Sequence, residues 1–327
     1  MSGPSKLDLA SSPRGTRELV SVVMPVWRPR ADWLRAAVAS VLDERGCALE
    51  LLVVDDGADP PVAPLLADVG DERLRVLRVP HGGPYAARNA ALREAAGAFV
   101  RYVDADDVVE PGSTARLLDV ARRHPGALAY GATLLCDEAL VPLAPRQVAS
   151  SDLEGDVSRA CMQGGFDVYV VSILFPRAAL ERSGPWEERA FAVSGDWDYV
   201  LRAAEHAPAR RLDEVVTRYR RHPRSLTKAA DVAAGGAAAR LVLDRYFARH
   251  PELRGTPLER RAYVRVHADR ALAHAWAGER GRAARELAAA ARRDPRAALA
   301  LAGRWAGQEA RGVRDAAARR ARRRRPR

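Results

Sequence analysis

The sequence predicts an α/β protein with a mostly parallel sheet covered by helices, followed by an all-helical region, and three observations carry that prediction. Short, continuously apolar runs alternate with helix-length segments from Leu19 to Val103, the pattern of strands buried on both faces of a parallel sheet. Three of these runs end in conspicuous polar or turn clusters: Met24-Pro25-Val26-Trp27, Asp55-Asp56-Gly57 and Asp104-Ala105-Asp106-Asp107. Beyond residue 230 Ala and Arg dominate at helical spacing.

Leu19–Val26 (LVSVVMPV) reads as the first strand. Asp32–Glu44 reads as a helix, with Trp33, Leu34, Ala37, Val38 and Val41 on one face and Asp32 as its N-cap. Leu49–Val54 is the second strand and Leu74–Val79 the third, with a loop or short helix around Pro61–Gly70 between them. Pro84 suits a first helical turn and Gly97 a helix stop, bracketing a helix through Arg88, Asn89 and Leu92. Phe99–Val103 is the fourth strand. Trp197–Ala204 reads as a helix for which Asp196 is a ready N-cap. In the last third, helical patterns run over Ala237–Arg249, Leu258–Ala277 and Arg282–Arg293. Gly235-Gly236 is placed as a hinge before them, and Gly278 and Gly281 in the turn of a tetratricopeptide-like hairpin over His274–Leu299.

In open α/β sheets ligands bind outside the carboxyl ends of the strands, so the three polar clusters converge on one crevice. Asp104, Asp106 and Asp107 repel one another unless a cation or a row of donors faces them. A hard divalent cation such as Mg2+ or Mn2+, completed by water and phosphate oxygens, suits such a turn; an Asp-rich loop capping the next helix is the alternative. The turn after the first strand, PVWRPRADW, contains no glycine. That excludes a dinucleotide-binding turn and a P-loop, whose backbones must approach phosphate closely.

Composition narrows the class further. Hydrophobic residues are 48% of 327, ordinary for a globular protein. The formal charge is +11, but residues 311–327 hold nine Arg against one Asp. The body is close to balanced, so no nucleic-acid partner is expected. The RRARRRRPR terminus reads as a solvated tail or as a contact to anionic lipid headgroups. Cys47, Cys136 and Cys161 are too scattered for a disulfide framework or a zinc site. Without an apolar leader or an 18-residue apolar run, the expected location is cytoplasmic, with peripheral contact to the inner membrane face through the tail.

Val20–Trp27 (VSVVMPVW), Glu50–Gly57 (ELLVVDDG), Gly82–Leu92 (GGPYAARNAAL) and Phe99–Pro111 (FVRYVDADDVVEP) resemble, in order, the signatures of the inverting, nucleotide-sugar-dependent glycosyltransferases of family 2, which have the GT-A fold. The resemblance continues through Ser172–Glu188, Ser194–His206 and Tyr219–Thr227. It implies transfer of a sugar from a UDP, dTDP or GDP sugar to a hydroxyl of a saccharide or lipid-linked acceptor, in cell-surface polysaccharide, glycolipid or other glycoconjugate synthesis. Residue by residue, it implies that Asp55 and Asp56 contact the nucleobase side of the donor beside backbone at Pro25 and Val26. Arg88 lies near the base or diphosphate, and Asp104 meets the ribose or a metal-bound water. Asp106 binds the metal, with Asp104 and His222 as further candidates, while Asp107 is read as the cap of the following helix. Asp196 is the implied catalytic base, although Gly195 stands where an acid is expected, and Asp198 is its rival. Arg220 or Arg221 is the expected phosphate partner. Trp186 is either a platform for the acceptor sugar or a core residue.

The expected organisation is an N-terminal segment (1–17), a GT-A domain (18–230), a helical accessory region (231–310) and an Arg-rich tail (311–327). Three rivals remain: a catalytically inactive sugar-nucleotide binder or scaffold, a nucleotidyltransferase, which would want a glycine-rich phosphate loop, and a glycosidase built on two carboxylates.

Overall fold

The computed structural model describes residues 18–143, 148–166, 168–191, 193–223, 225 and 232–299. The N-terminal segment and the Arg-rich tail expected from the sequence lie outside the described residues. The chain divides into two compact units, Met1–Ala229 and Ala230–Arg327.

The first unit is built in the order β1 (Val20–Val26), α1 (Ala31–Leu42), β2 (Leu49–Asp56), β3 (Leu74–Val79), α2 (Pro84–Glu94) and β4 (Phe99–Tyr102). There follow β5 (Val108–Val109), α3 (Ser113–Arg123), β6 (Leu128–Cys136), β7 (Val148–Ala149) and α4 (Ser158–Met162). The unit ends with β8 (Ile173–Pro176), α5 (Arg177–Ser183), α6 (Gly195–Ala204) and β9 (Ala209–Arg220). One mixed sheet of 9 strands runs β3-β2-β1-β4-β8-β6-β9-β5, with β7 on β6. The β3-β2-β1-β4 half is parallel. The direction changes at β8, which runs antiparallel to both β4 and β6. Val22 and Met24 of β1 and Leu51 and Val53 of β2 share a core with Leu34, Val38 and Val41 of α1 and Leu117 and Leu118 of α3.

Packing overrode local capping at several ends. α1 starts at Ala31, and Asp32 sits inside its first turn paired with Arg30 instead of capping it. Six buried side chains dock that helix, each contributing up to about 1.5–3 kcal/mol, against about 1 kcal/mol for a cap. Strand β2 extends through Asp55 and Asp56, which keep pairing with Arg78 and Val79 of β3. α2 ends at Glu94, before Gly97. Gly97 is required for another reason: a Cβ there would lie 2.6 Å from Ser21 N and 2.7 Å from Leu19 O of the neighbouring chain segment.

The second unit comprises α7 (Val232–Arg249), α8 (Pro257–Trp276) and α9 (Arg280–Arg293). Gly235 and Gly236 are inside α7, not a hinge before it. A Cβ on Gly236 would meet Arg270 Cδ of α8 at 2.4 Å, so this glycine leaves room for that arginine side chain. Gly278, at φ +79°, makes the turn between α8 and α9, whereas Gly281 is already helical. Among the described residues, no helix is long and apolar enough to cross a membrane.

Candidate active site

The carboxyl ends of β1, β2 and β4 lie side by side because these strands are neighbours in parallel register, Val26 opposite Asp55 and Val23 opposite Tyr102. Asp55 is buried and organises the turn that follows it. Its carboxylate accepts from Ala58 N at 2.7 Å, Val62 N at 3.1 Å and Arg78 Nη1 at 2.7 Å. Asp56, also buried, accepts from Gly82 N at 2.8 Å and Gly83 N at 3.0 Å, with His81 Nδ1 2.9 Å from Oδ2. These two acids hold the wall of the crevice rather than line it with free acceptors. Groups that reach solvent there include Trp27, 46% exposed, and the His81 ring stacked on it at 4.8 Å. Arg28 lies over the same indole, 4.6 Å from its centroid.

The acidic turn after β4 divides into three roles. Asp104, its side chain 32% exposed, accepts from Arg88 Nη2 at 2.6 Å. Arg88 comes from α2, is buried, and lies 4.7 Å from the centroid of the Trp186 indole. Asp106, 36% exposed, has Oδ2 2.8 Å from Nε2 of the buried His222. Burial raises the Asp106 pKa, Asp104 raises it further, and His222 opposes the shift. Asp107 is fully buried and does not cap a helix, since α3 begins six residues later behind Gly112. Its Oδ1 instead accepts from Arg220 N at 2.8 Å and ties the turn to β9. Burial pushes the Asp107 carboxyl well above its usual range, followed by repulsion from Asp106 and Asp104. The Arg220 guanidinium donates to the carbonyls of Asp106 (2.7 Å) and Glu138, so it braces the turn and does not offer its fork to a phosphate. Arg221 is exposed.

Across the crevice, α6 begins at Gly195 behind Ser194, which adopts a left-handed φ of 65°. Asp196 therefore lies within the helix rather than at its N-cap. Its side chain is solvent-exposed but recessed, and Oδ1 accepts from Trp197 N at 2.9 Å. Surrounding protein raises its pKa; Arg88 opposes the shift and Asp104 adds to it. Asp198 points into the protein and accepts from Arg202 Nε at 2.8 Å, which removes it as a rival base. Trp186 is 1% exposed. It stacks on Tyr199 at 3.8 Å and on Tyr85 at 5.5 Å, and its indole N–H donates to Tyr102 Oη at 3.1 Å. It is a core residue and offers no face to an acceptor sugar.

Among the described residues, no group of three or more His, Cys, Asp or Glu side chains forms a metal cage. Asp104 and Asp106, both partly exposed, still suit a hard cation of the kind that takes one or two protein carboxylates and fills its remaining positions with water and phosphate. Burial is the main reason the Asp106 carboxyl is raised, with repulsion from Asp104 second. Sequence reasoning missed Trp27 and His81 as an exposed aromatic pair and Tyr85 as a contact of Gly195. Tyr85 carried a signal, because it precedes Arg88 by one helical turn and shares its face.

The glycosyl transferase family 2 signature matches residues 21–184. A curated relative from Bacillus subtilis (strain 168), the uncharacterized glycosyltransferase EpsJ, is 25% identical over 64% of this chain and 63% of its own length. The succinoglycan biosynthesis protein ExoW of Rhizobium meliloti (strain 1021) is 38% identical over 28% of this chain and 30% of its own. An uncharacterized glycosyltransferase of Rickettsia felis is 34% identical over 27% of this chain, which spans only 15% of that relative's length. Among solved structures, S. aureus TarS residues 1–349 in complex with UDP-GlcNAc superposes with a TM-score of 0.55 at 16% identity, covering 84% of this chain and 92% of that one. With half of its length matched by the family signature and a mixed sheet of the corresponding fold, the chain belongs to glycosyl transferase family 2.

Proposed function

We propose that this protein transfers a sugar from a nucleoside-diphosphate sugar to a hydroxyl acceptor with inversion at C1. The observation that carries the reading is the placement of an exposed carboxylate of raised pKa, Asp196, within electrostatic reach of the Arg88–Asp104 pair. A base must be ionised yet basic enough to take a proton, and a raised pKa serves that compromise. In the reaction, the acceptor oxygen bonds to C1 while its proton passes to Asp196. The bond from C1 to the diphosphate oxygen breaks with its electron pair going to the leaving group, so attack and departure occur on opposite faces. Arg88, held over Trp186, fixes Asp104 at the mouth of the crevice. Asp106, braced by His222, and Asp104 would hold a divalent cation, Mg2+ or Mn2+, whose charge offsets that building on the leaving diphosphate. The exposed Trp27–His81 pair beside Asp56 offers a flat surface for the nucleobase. UDP sugars are the first donors to test, since TarS is described with UDP-GlcNAc, and the kinship to ExoW favours a saccharide acceptor.

A thermal-shift screen against UDP, GDP, dTDP, CDP and ADP, each with Mn2+, with Mg2+ and with chelator, tests this reading. A rise in Tm with one nucleoside diphosphate only when metal is present supports it and identifies the base. A flat response to all of them rejects the donor site. Donor binding without turnover of its sugar nucleotide leaves an inactive binder.

A further inference from the structure

Position 195 is a glycine for a reason that lies outside its own helix. A Cβ there would sit 2.5 Å from Tyr85 Cζ, 2.8 Å from Cε2 and 2.9 Å from Oη, so any side chain collides with the phenol ring. The same phenol hydroxyl accepts the Gly195 N–H at 3.0 Å. A helix leaves its first four N–H groups without intrahelical partners, and the side chain of Ser194 caps none of them. Tyr85, reaching over from α2, supplies the missing acceptor one residue before Asp196. The Tyr85 ring also stacks on Trp186 at 5.5 Å, with Arg88 one turn further along α2 bonded to Asp104. One side chain therefore links the helix bearing Asp196 to the helix bearing Arg88.

We propose that Tyr85 is a positioning residue for Asp196: its hydroxyl pins the first N–H of α6 while its ring fills the space that any side chain at 195 would need. The proposal rests on the base role of Asp196 given above. The groups facing Asp196 are Arg88 and Tyr85 from α2, Asp104 from the turn after β4, and Cys161 from α4. Tyr85 is among the groups that surround Asp196, so removal of its ring changes the environment in which that carboxyl titrates.

The test compares Tyr85→Phe, Tyr85→Ala, Gly195→Ala and the double variant Tyr85→Ala/Gly195→Ala. The readouts are thermal melting, turnover of UDP-GlcNAc and UDP-glucose, and a carboxyl 13C NMR titration with Asp196 assigned through Asp196→Asn. Tyr85→Phe is expected to melt close to the parent, with kcat down about tenfold and donor KM within about twofold. In Tyr85→Ala the Asp196 titration moves, and the damage from Gly195→Ala is partly relieved in the double variant. An unchanged Asp196 titration in Tyr85→Ala, or equal cost of Gly195→Ala with and without Tyr85, overturns the proposal. Absence of turnover in the parent removes the base role of Asp196. The titration and the melting cycle still decide whether Tyr85 holds it.

Discussion

Replacement of Trp186 separates a core residue from an acceptor platform. The indole is 1% exposed, stacked on Tyr199 at 3.8 Å, and donates to Tyr102 Oη at 3.1 Å. Trp186→Ala removes all of this, and Trp-to-Ala core truncations cost about 3–5 kcal/mol. The upper half of that range is expected, because the backbone at 186 cannot collapse into the void. Trp186 N donates to Asn89 Oδ1 at 2.8 Å and Asn89 Nδ2 donates to Trp186 O at 2.9 Å, contacts that survive any side-chain change. Trp186→Phe keeps most of the stack and loses the N–H···O bond, a cost of about 1–3 kcal/mol. For a unit of this size, each kcal/mol moves the midpoint by about 2–4 °C. Trp186→Ala should therefore lower Tm by about 8–20 °C and shift the urea midpoint at unchanged m. Melting within about 2 °C of the parent, combined with a raised acceptor KM, would refute the packing argument and return Trp186 to the acceptor side.

Asp196→Asn should leave nucleoside-diphosphate affinity unchanged and reduce kcat by about 100-fold or more, as loss of a general base does; calorimetry and turnover on the same preparation check both halves. In the parent, Asp196 must be ionised to act, and its pKa is raised above the ordinary carboxylate value. The rate should therefore fall as pH drops through a midpoint above that of a free aspartate, whereas a midpoint at or below it contradicts the assignment. Asp198→Asn should behave oppositely, because Arg202 is buried against that carboxylate. The expected loss is about 3 kcal/mol or more of stability, with turnover per folded molecule retained; an active-site phenotype with parental melting would reinstate Asp198. Asp106→Asn should abolish the Mn2+- or Mg2+-dependent part of nucleotide stabilisation, which for the parent reaches about 2.7 kcal/mol at 100 times Kd. Full stabilisation in that variant would remove Asp106 from the metal role.

Local patterning was enough to read the parallel half of the sheet. β1, β2 and β4 announce themselves as apolar runs because they are largely buried, and the half-exposed edge strand β3 has the same bounds in sequence pattern and structure, Leu74–Val79. The acidic turn was visible as an acidic turn, and Asp196 stood apart from Asp198 because two residues on a helix point about 200° apart. Which carboxylate does what was not visible. Asp55, Asp56 and Asp107 read as ligands or caps by residue type, yet each accepts from a donor far along the chain, Arg78 for Asp55, Gly82 for Asp56 and Arg220 for Asp107. Trp186 and Tyr85 belong to the same class. The alphabet distinguishes neither a buried aromatic from an exposed one nor a glycine kept for its φ from one kept because a ring from another helix sits 2.5 Å from where its Cβ would be. Periodicity is a local property and survives in one dimension. Satisfaction of a buried carboxylate and exclusion of a side chain depend on atoms distant in sequence, so for this protein only the tertiary structure decided them.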